Sequence, residues 1–336
     1  MLEISSLQPL LPLHEATLNT LSHQKNLLAF SGGGDSTALF FLLLEQNIAF
    51  DVAFVNYKTR EQSDEEEAYA KELCSLYNKS FFIFTCKLEA SNFEHNARTK
   101  RYAFFETLIE TYHYTNLLCA HHLGDRLEWF LMQLSRGAGL VEMLGMQEVE
   151  KREHYTLVRP LLHVTKSSLL DFLQTHNHRY FNDESNASME HLRNHFRHHF
   201  ATPLLEHYEN GIAQSFAYLQ EDVKRLMPES SYKRIKDLFI LHKERDDLLN
   251  IRQIDKILKL LGKLLSKDER QEILRTKECV IAGKIAVCFQ EDAIFIAPYV
   301  KEAMPKVFKE ACRKAKIPSK IRPYLFSSQL EPHALR

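Results

Sequence analysis

Leu27-Leu28-Ala29-Phe30-Ser31-Gly32-Gly33-Gly34-Asp35-Ser36 decides the fold of this chain. The apolar run Leu27 to Phe30 reads as a buried strand, and the stretch Thr37 to Leu44 that follows the glycines reads as a helix. Consecutive glycines let the backbone turn tightly and approach an anion without interference from a Cβ. The N–H groups of such a turn, together with the N-terminus of the next helix, point at that anion. Ser31 and Ser36 add hydroxyl donors. No Gly-Lys-Ser/Thr follows, which excludes a Walker A loop, and the GxGxxG spacing of a dinucleotide fingerprint is absent.

Working outward, short apolar runs alternate with helical patterns. Phe50 to Tyr57, Phe81 to Cys86 and Asn116 to Ala120 read as further strands. Helices are expected from Ser63, with Glu66 completing a capping box, to about Asn78, then from Glu94 to Tyr112 and from His121 to Ser135. Strands separated by helices of this length imply a parallel sheet covered on both faces, a Rossmann-like α/β fold. Arg159-Pro160 ends a segment, and Thr165 caps a helix reaching about His176. From there to about Leu274 the chain reads as mostly helical. The runs CVIAG, KIAVCFQ and AIFIAP between Glu278 and Pro298 then suggest a small α+β tail domain. The expected division is a nucleotide-binding catalytic domain over 1–212, with a helical linker and small C-terminal domain over 213–336.

A second constellation is His121-His122-Leu123-Gly124-Asp125-Arg126-Leu127-Glu128-Trp129. On a helix turning about 100° per residue, His121, Asp125 and Glu128 fall within roughly 60° of one another. Leu123, Leu127, Phe130, Leu131 and Leu134 gather opposite. The polar stripe emerges just beyond a strand C-terminus, where open α/β sheets place their ligands. Downstream, Arg193 and Arg197 lie four apart on a predicted helix, a spacing suited to adjacent phosphates or a nucleotide. His191, His195 and His199 form a neighbouring stripe; no nearby Cys or acid completes a zinc set, so an exposed or RNA-facing helix is the better reading.

Composition sets the outer bounds. The 336 residues allow about two domains, and 45% hydrophobic with 26% charged residues is ordinary for a globular protein. No run of roughly 18 apolar residues occurs, so no membrane span is expected. The start of the chain carries acidic residues and does not read as a secretion signal. Six scattered cysteines point to reduced thiols and a cytoplasmic protein. The net charge is −1, yet Tyr299 to Arg336 holds nine Lys/Arg against three Glu, a local excess of six. A basic tail on a neutral protein suggests a polyanionic partner.

Ser31 to Ser36 resembles the SGGxDS loop of the PP-loop ATP pyrophosphatases, which hold pyrophosphate and cleave ATP between the α and β phosphates. His121 to Trp129, then Arg136-Gly137-Ala138-Gly139 and Gly145-Met146, resemble one branch of that superfamily, the tRNA(Ile)-lysidine synthetases, whose pattern is HHxxDxxET, RGxG and GM. Trp129 stands where Thr is usual, and Val141 to Leu144 is a divergent spacer. Arg159-Pro160-Leu161-Leu162, Asp183-Glu184-Ser185-Asn186, and Arg193-Asn194 with Arg197 follow the same family's series in order. Asn56-Tyr57, where Asn-His is usual, Arg60, and Arg98, Arg101 and Tyr102 add smaller matches. The resemblance covers about residues 25 to 210.

The resemblance implies a ligase for tRNA modification. In that family the wobble cytidine of a CAU-anticodon isoleucine tRNA attacks the α-phosphate of ATP, and free L-lysine then displaces AMP to give lysidine. It implies Mg²⁺ as cofactor with Asp35 as its ligand, and ATP held by Ser31, Gly32, Gly33, Gly34, Asp35 and Ser36. Asp125 and Glu128 are then the expected lysine-binding residues, and His121, Asp125, Asp35 and Arg193 the catalytic ones. Arg98, Arg101, Arg193 and Arg197 are expected to contact tRNA or phosphate. Family members are commonly homodimers. The tRNA-thiolating PP-loop branch needs a reactive cysteine pair or an iron–sulfur cluster, and no CxxC occurs here. A tRNA-binding protein with a dead nucleotide site is the remaining alternative, against which Asp35, Asp125 and Glu128 all stand as acids.

Overall fold

The computed structural model describes residues 11, 13–58, 62–87, 93–182, 192–226 and 232–335. Arg60, Asp183 to Asn186 and His191 lie outside them. Two compact units divide the chain at Val223/Lys224. Helix α9 (Thr202–Leu226), given its number in chain order, is kinked at Tyr208 and spans residue 212.

In the first unit, β1 (Asn26–Phe30), β2 (Asp51–Asn56), β3 (Phe81–Thr85), β4 (Asn116–Leu118), β5 (Val149–Lys151) and β6 (Thr156–Val158) form one sheet in the order β3-β2-β1-β4-β6-β5. All pairs are parallel except the edge pair β5/β6. The strands alternate apolar residues to both faces, as a doubly covered sheet requires. Leu28, Val52, Phe54, Leu118 and Val158 join the core beneath α2 (Gly34–Glu45), α3 (Gln62–Leu76) and α7 (Lys166–Thr175). Their neighbours Leu27, Ala53, Leu117 and Leu157 face Phe105, Leu108 and Ile109 of α4 (Phe93–Tyr112). Strand order reverses at β1, because β2 follows on one side and β4 is inserted on the other. The crevice beyond the carboxyl ends of β1 and β4 is therefore the topological switch point, where such sheets bind ligands.

Both chain segments singled out in the sequence leave the sheet at that crevice. Ser31 to Gly33 connects β1 to α2, and Cys119 to His122 connects β4 to α5 (Leu123–Ser135). The apolar side of α5 packs on α9: Leu123 and Leu127 share a core with Ala201 and Phe216. Leu134, expected on that side, is exposed.

Several expectations are corrected. Helix α5 starts at Leu123 with His122 as N-cap, so His121 precedes the helix and is not on its acidic stripe. Ser63 lies inside α3, which begins at Gln62. The stretch expected to be helical as far as Leu274 contains a hairpin, β7 (Tyr232–Ile235) and β8 (Leu238–His242). In the second unit these strands extend the three expected ones, β9 (Glu278–Ile281), β10 (Ile285–Phe289) and β11 (Ala293–Pro298), into an antiparallel sheet ordered β7-β8-β11-β10-β9. Helices α10 (Asp247–Leu260) and α11 (Lys267–Thr276) cover one face through Ile254, Ile257 and Ile273. Helices α12 (Lys306–Lys314) and α13 (Arg322–Ser327) cover the other through Cys312 and Leu325. Lys306, Lys309, Arg313 and Lys314 are exposed on α12. All six cysteines are free thiols. Among the described residues, no helix is long and apolar enough to cross a membrane.

Candidate active site

The glycine-rich loop is held open by its own side chains. Ser36 Oγ donates to the Gly33 carbonyl (3.0 Å) and accepts from the Ser31 amide (3.2 Å), while Thr37 Oγ1 donates to the Gly32 carbonyl (3.3 Å). The first helical bond of α2 runs from Thr37 N to Gly33 O (3.0 Å). The amides of Gly34, Asp35 and Ser36 therefore have no carbonyl one turn behind them, and no side chain caps the helix at Gly33. That leaves a ready anion cradle. Gly32 sits at φ +81°, a conformation that L side chains rarely adopt. A Cβ on Gly34 would come within 3.0 Å of Leu170 and 3.4 Å of Tyr180, so the second requirement for glycine is close packing. Phe181 pins the turn from outside, its amide donating to the Gly32 carbonyl (3.0 Å).

Asp35 projects from this loop toward the second segment. Its Oδ1 is buried and has no hydrogen-bond partner among the described residues. Its Oδ2 lies 3.8 Å from His122 Nε2 and 4.0 Å from Lys166 Nζ. A buried carboxylate oxygen without a donor, at the mouth of a phosphate cradle, suits a divalent cation such as Mg²⁺.

His122 joins the two segments. Its Nδ1 accepts from the Gly124 amide (3.0 Å), which assigns the ring proton to Nε2, the nitrogen facing Asp35 and, at 3.6 Å, Asp125 Oδ2. Asp125 returns the cap by accepting from the His122 amide (3.0 Å). Gly124 makes room for this arrangement, since a Cβ there would lie 2.7 Å from His122 Cε1.

The two acids of α5 are met by the two arginines. Arg193 Nη2 donates to Asp125 Oδ1 (2.5 Å) and its Nε to Glu128 Oε2 (2.8 Å). Arg197 Nε donates to Glu128 Oε1 (2.5 Å), and its Nη2 lies 3.6 Å from Asp125 Oδ1. Glu128 is 1% exposed. Arg193 belongs to α8 (Leu192–Phe196), and Arg197 opens a π-helical turn that ends at Ala201. Wider turns of this kind recur at functional sites. Burial opposes ionisation of Asp125, but His122 and Arg193 outweigh it and hold its carboxyl well below the usual carboxylate range.

His121 sits beside this cluster, with Nδ1 buried and without a hydrogen-bond partner among the described residues. Burial pushes its imidazole down from 6.5 to about 4; Arg159, Arg193 and Arg101 add to the effect and Asp125 opposes it. It is therefore a neutral hydrogen-bonding group near neutral pH and carries no charge for a phosphate. The unfolded chain takes up this proton near pH 6.5 and the folded chain only near pH 4. Stability present above pH 6.5 is thus lost as pH falls toward 4, by roughly 3 kcal/mol in all. His121→Gln is expected to flatten that part of the curve of unfolding free energy against pH, as measured in urea.

Two expected residues stand further out. Arg98 stacks on the Tyr102 ring (4.8 Å) on the outer side of α4. Arg101 is also exposed, though its charge reaches His121. One contributor escaped the sequence reading, and another, Arg159, entered it only as part of the Arg159-Pro160-Leu161-Leu162 match. Lys166 opens α7, where a cation opposes the helix dipole; that misplacement is the signal a reader of the sequence has for it. Arg159 is buried and fixed by the Gln147 carbonyl (2.6 Å) and Glu150 (3.0 Å).

With this geometry in view, the relatives are informative. The PP-loop domain family matches residues 10–204. The tRNA(Ile)-lysidine synthase of Wolinella succinogenes is 49% identical over 93% of this chain and 95% of its own length. The chain belongs to the tRNA(Ile)-lysidine synthase family. The Campylobacter jejuni member is 44% identical over 95% of this chain and 97% of its own, and a Helicobacter pylori member is 42% identical over 94% and 92%. Among solved structures, a U34-tRNA thiolase from Methanococcus maripaludis shares the fold, with TM-score 0.50 and 16% identity over 61% of this chain and 77% of its own.

Membership gives the departures from the family pattern a structural meaning. Trp129 donates its indole N–H to the Glu142 carbonyl (3.0 Å) and lies over Gly145, where a Cβ would be 3.3 Å from its Nε1. The divergent spacer is thereby folded into α6 (Leu140–Met143) against α5. Tyr57 replaces the usual His and reaches across to the Ala97 carbonyl (2.9 Å) on α4.

Proposed function

We propose that this chain ligates free L-lysine to the wobble cytidine of the CAU-anticodon isoleucine tRNA, through an adenylated cytidine, with release of pyrophosphate and AMP. The observation that carries this reading is His122 placed between Asp35 of the phosphate cradle and Asp125 of the acid–arginine cluster. It sets a phosphate cradle and a cation-binding acid pair side by side in one crevice.

ATP lies with its phosphates on the amides of Gly34, Asp35 and Ser36, and Lys166, whose Nζ is 4.0 Å from Asp35 Oδ2, adds positive charge beside the loop. Asp35 would hold Mg²⁺, which would supply positive charge to screen the pyrophosphate as it leaves. The cytidine 2-carbonyl oxygen attacks the α-phosphorus, and the bond to pyrophosphate breaks. In the second step the lysine ε-amine attacks C2 of the base and AMP departs.

The ammonium of lysine titrates near 10.4, so the amine must lose a proton before it attacks. Asp125 and Glu128 suit the cationic form. The low proton affinity of Asp125 suits it to anchoring the ammonium rather than taking its proton. Both carboxylates are engaged by Arg193 and Arg197, so lysine competes with guanidinium for the same oxygens. The phosphate of the adenylated cytidine, present before lysine attacks, is the natural anion to draw those arginines away. The exposed cations of α12 suit a tRNA backbone.

Purified CAU-anticodon isoleucine tRNA, ATP and labelled lysine are expected to yield one labelled nucleoside per tRNA, read by nucleoside mass analysis, with AMP as the nucleotide product. ADP in place of AMP, or an unlabelled nucleoside pool, would overturn the reading.

A further inference from the structure

Away from the crevice, three side chains from distant parts of the first unit converge. His14 Nδ1 lies 2.8 Å from Glu148 Oε2, and His14 stacks on His163 with ring centroids 3.6 Å apart at 13°. One ligand atom from each of the three lies within 4.8 Å of the others. The second carboxylate oxygen, Glu148 Oε1, accepts from the Thr17 hydroxyl. His14 caps α1 (Glu15–Leu21), Glu148 directly precedes β5, and His163 follows the Arg159-Pro160-Leu161-Leu162 turn after β6. We propose that His14, Glu148 and His163 form a zinc-class metal site that ties the N-terminal helix to the β5/β6 edge of the sheet.

The donor set is the argument. Two imidazoles and one carboxylate are ligands for zinc, with water completing the tetrahedron. Ligands at about 2.0–2.1 Å from a tetrahedral ion stand roughly 3.3 Å apart, so ring rotation and a closure of about 1.5 Å bring this set into place. The Thr17 hydroxyl holds one carboxylate oxygen and leaves the other to face the imidazole, the outer-shell support expected of a single-oxygen ligand. Arg126 places a positive charge near both His14 and Glu148. A hard ion such as Mg²⁺ or Ca²⁺ relies on several carboxylates and oxygens, and here it would meet one carboxylate and a guanidinium. A borderline-soft ion that accepts nitrogen is the better match. The site is separate in residues and in chemistry from Asp35.

The full chain, stripped with chelator, is titrated with Zn²⁺ and then with Co²⁺ as a spectroscopic probe. The expected result is one equivalent of zinc bound, competed by Co²⁺ with the visible absorbance of a four-coordinate ion. The unfolding midpoint should rise by roughly 5 °C when zinc exceeds its Kd about 100-fold. His14→Ala, at a half-exposed position, and the near-isosteric Glu148→Gln are each expected to weaken zinc at least tenfold while retaining the native circular dichroism spectrum. His195→Ala/His199→Ala, which removes a histidine pair elsewhere in the first unit, should bind as the parent does. Absence of stoichiometric zinc in the parent chain, undiminished binding in His14→Ala and Glu148→Gln, or loss of the ion in the His195/His199 variant would each overturn the assignment.

Discussion

Asp35→Asn is expected to reduce tRNA-dependent pyrophosphate release by about 10³-fold while leaving the unfolding midpoint within about 1 °C of the parent. The asparagine is isosteric, so the close packing around the loop, including the approach of Gly34 to Leu170 and Tyr180, is undisturbed. Asp35 Oδ1 has no donor among the described residues, and Oδ2 faces His122 and Lys166 at 3.8 and 4.0 Å, beyond hydrogen-bond range. Little of the fold's stability therefore rests on this carboxylate. Its charge matters when a cation must sit between it and a triphosphate. The two readouts separate a catalytic role from a structural one: pyrophosphate release measured at saturating ATP, and thermal unfolding followed by circular dichroism. Turnover within tenfold of the parent would remove Asp35 from metal binding. A large fall in midpoint would show that His122 and Lys166 depend on it for their positions.

The parts of this molecule that were legible in the sequence are those where local chemistry has one solution. A buried apolar strand, a run of glycines and a helix opening on Asp and Ser can hardly fold otherwise than as β1, the loop and α2. The hairpin β7/β8 is hidden because its turn places Lys236 at φ 55° where the usual Asn-Gly signal is missing, and because the adjacent charges of Lys233-Arg234 interrupt the apolar alternation of β7. Strands β5 and β6 are three residues each, too short to show a period. His121 was placed on the α5 stripe because spacing alone does not reveal that the next histidine accepts from Gly124 and starts the helix. The sequence distinguished an acidic pair from a basic pair. That Asp125 meets Arg193 across 68 residues of chain is tertiary information, supplied by the packing of α5 against Ala201 and Phe216. The His14–Glu148–His163 cluster belongs to the same class: each residue is unremarkable where it stands, and only the fold brings the three to one place.

Glu128→Gln is expected to lower lysine-dependent release of AMP by about 10²–10³-fold and pyrophosphate release by tenfold or less. The residue is almost completely buried; its Oε1 accepts from Arg197 Nε, and its Oε2 from Arg193 Nε and, at 3.3 Å, Arg197 Nη2. Breaking a buried ion pair by removing one charge costs about 3–5 kcal/mol. Arg193 keeps 42% of its side chain in solvent and Arg197 22%, so both are partly rescued by water and about 2 kcal/mol is the expected loss of unfolding free energy. The amide of glutamine keeps one acceptor and adds a donor that faces the arginines, so the cluster is weakened without being emptied. A double-mutant cycle with Arg193→Ala then separates the two roles of Glu128. If the carboxylate mainly holds Arg193, the double variant is no less stable and no less active than the worse single one, because the contact is already gone. If the carboxylate also receives the lysine ammonium, AMP release stays low in the double variant and does not respond to raised lysine, whereas Arg193→Ala alone binds lysine more tightly once its competitor is removed. Undiminished AMP release in Glu128→Gln would leave Asp125 as the lone acid at the amine, and its depressed proton affinity would then require water to take the proton.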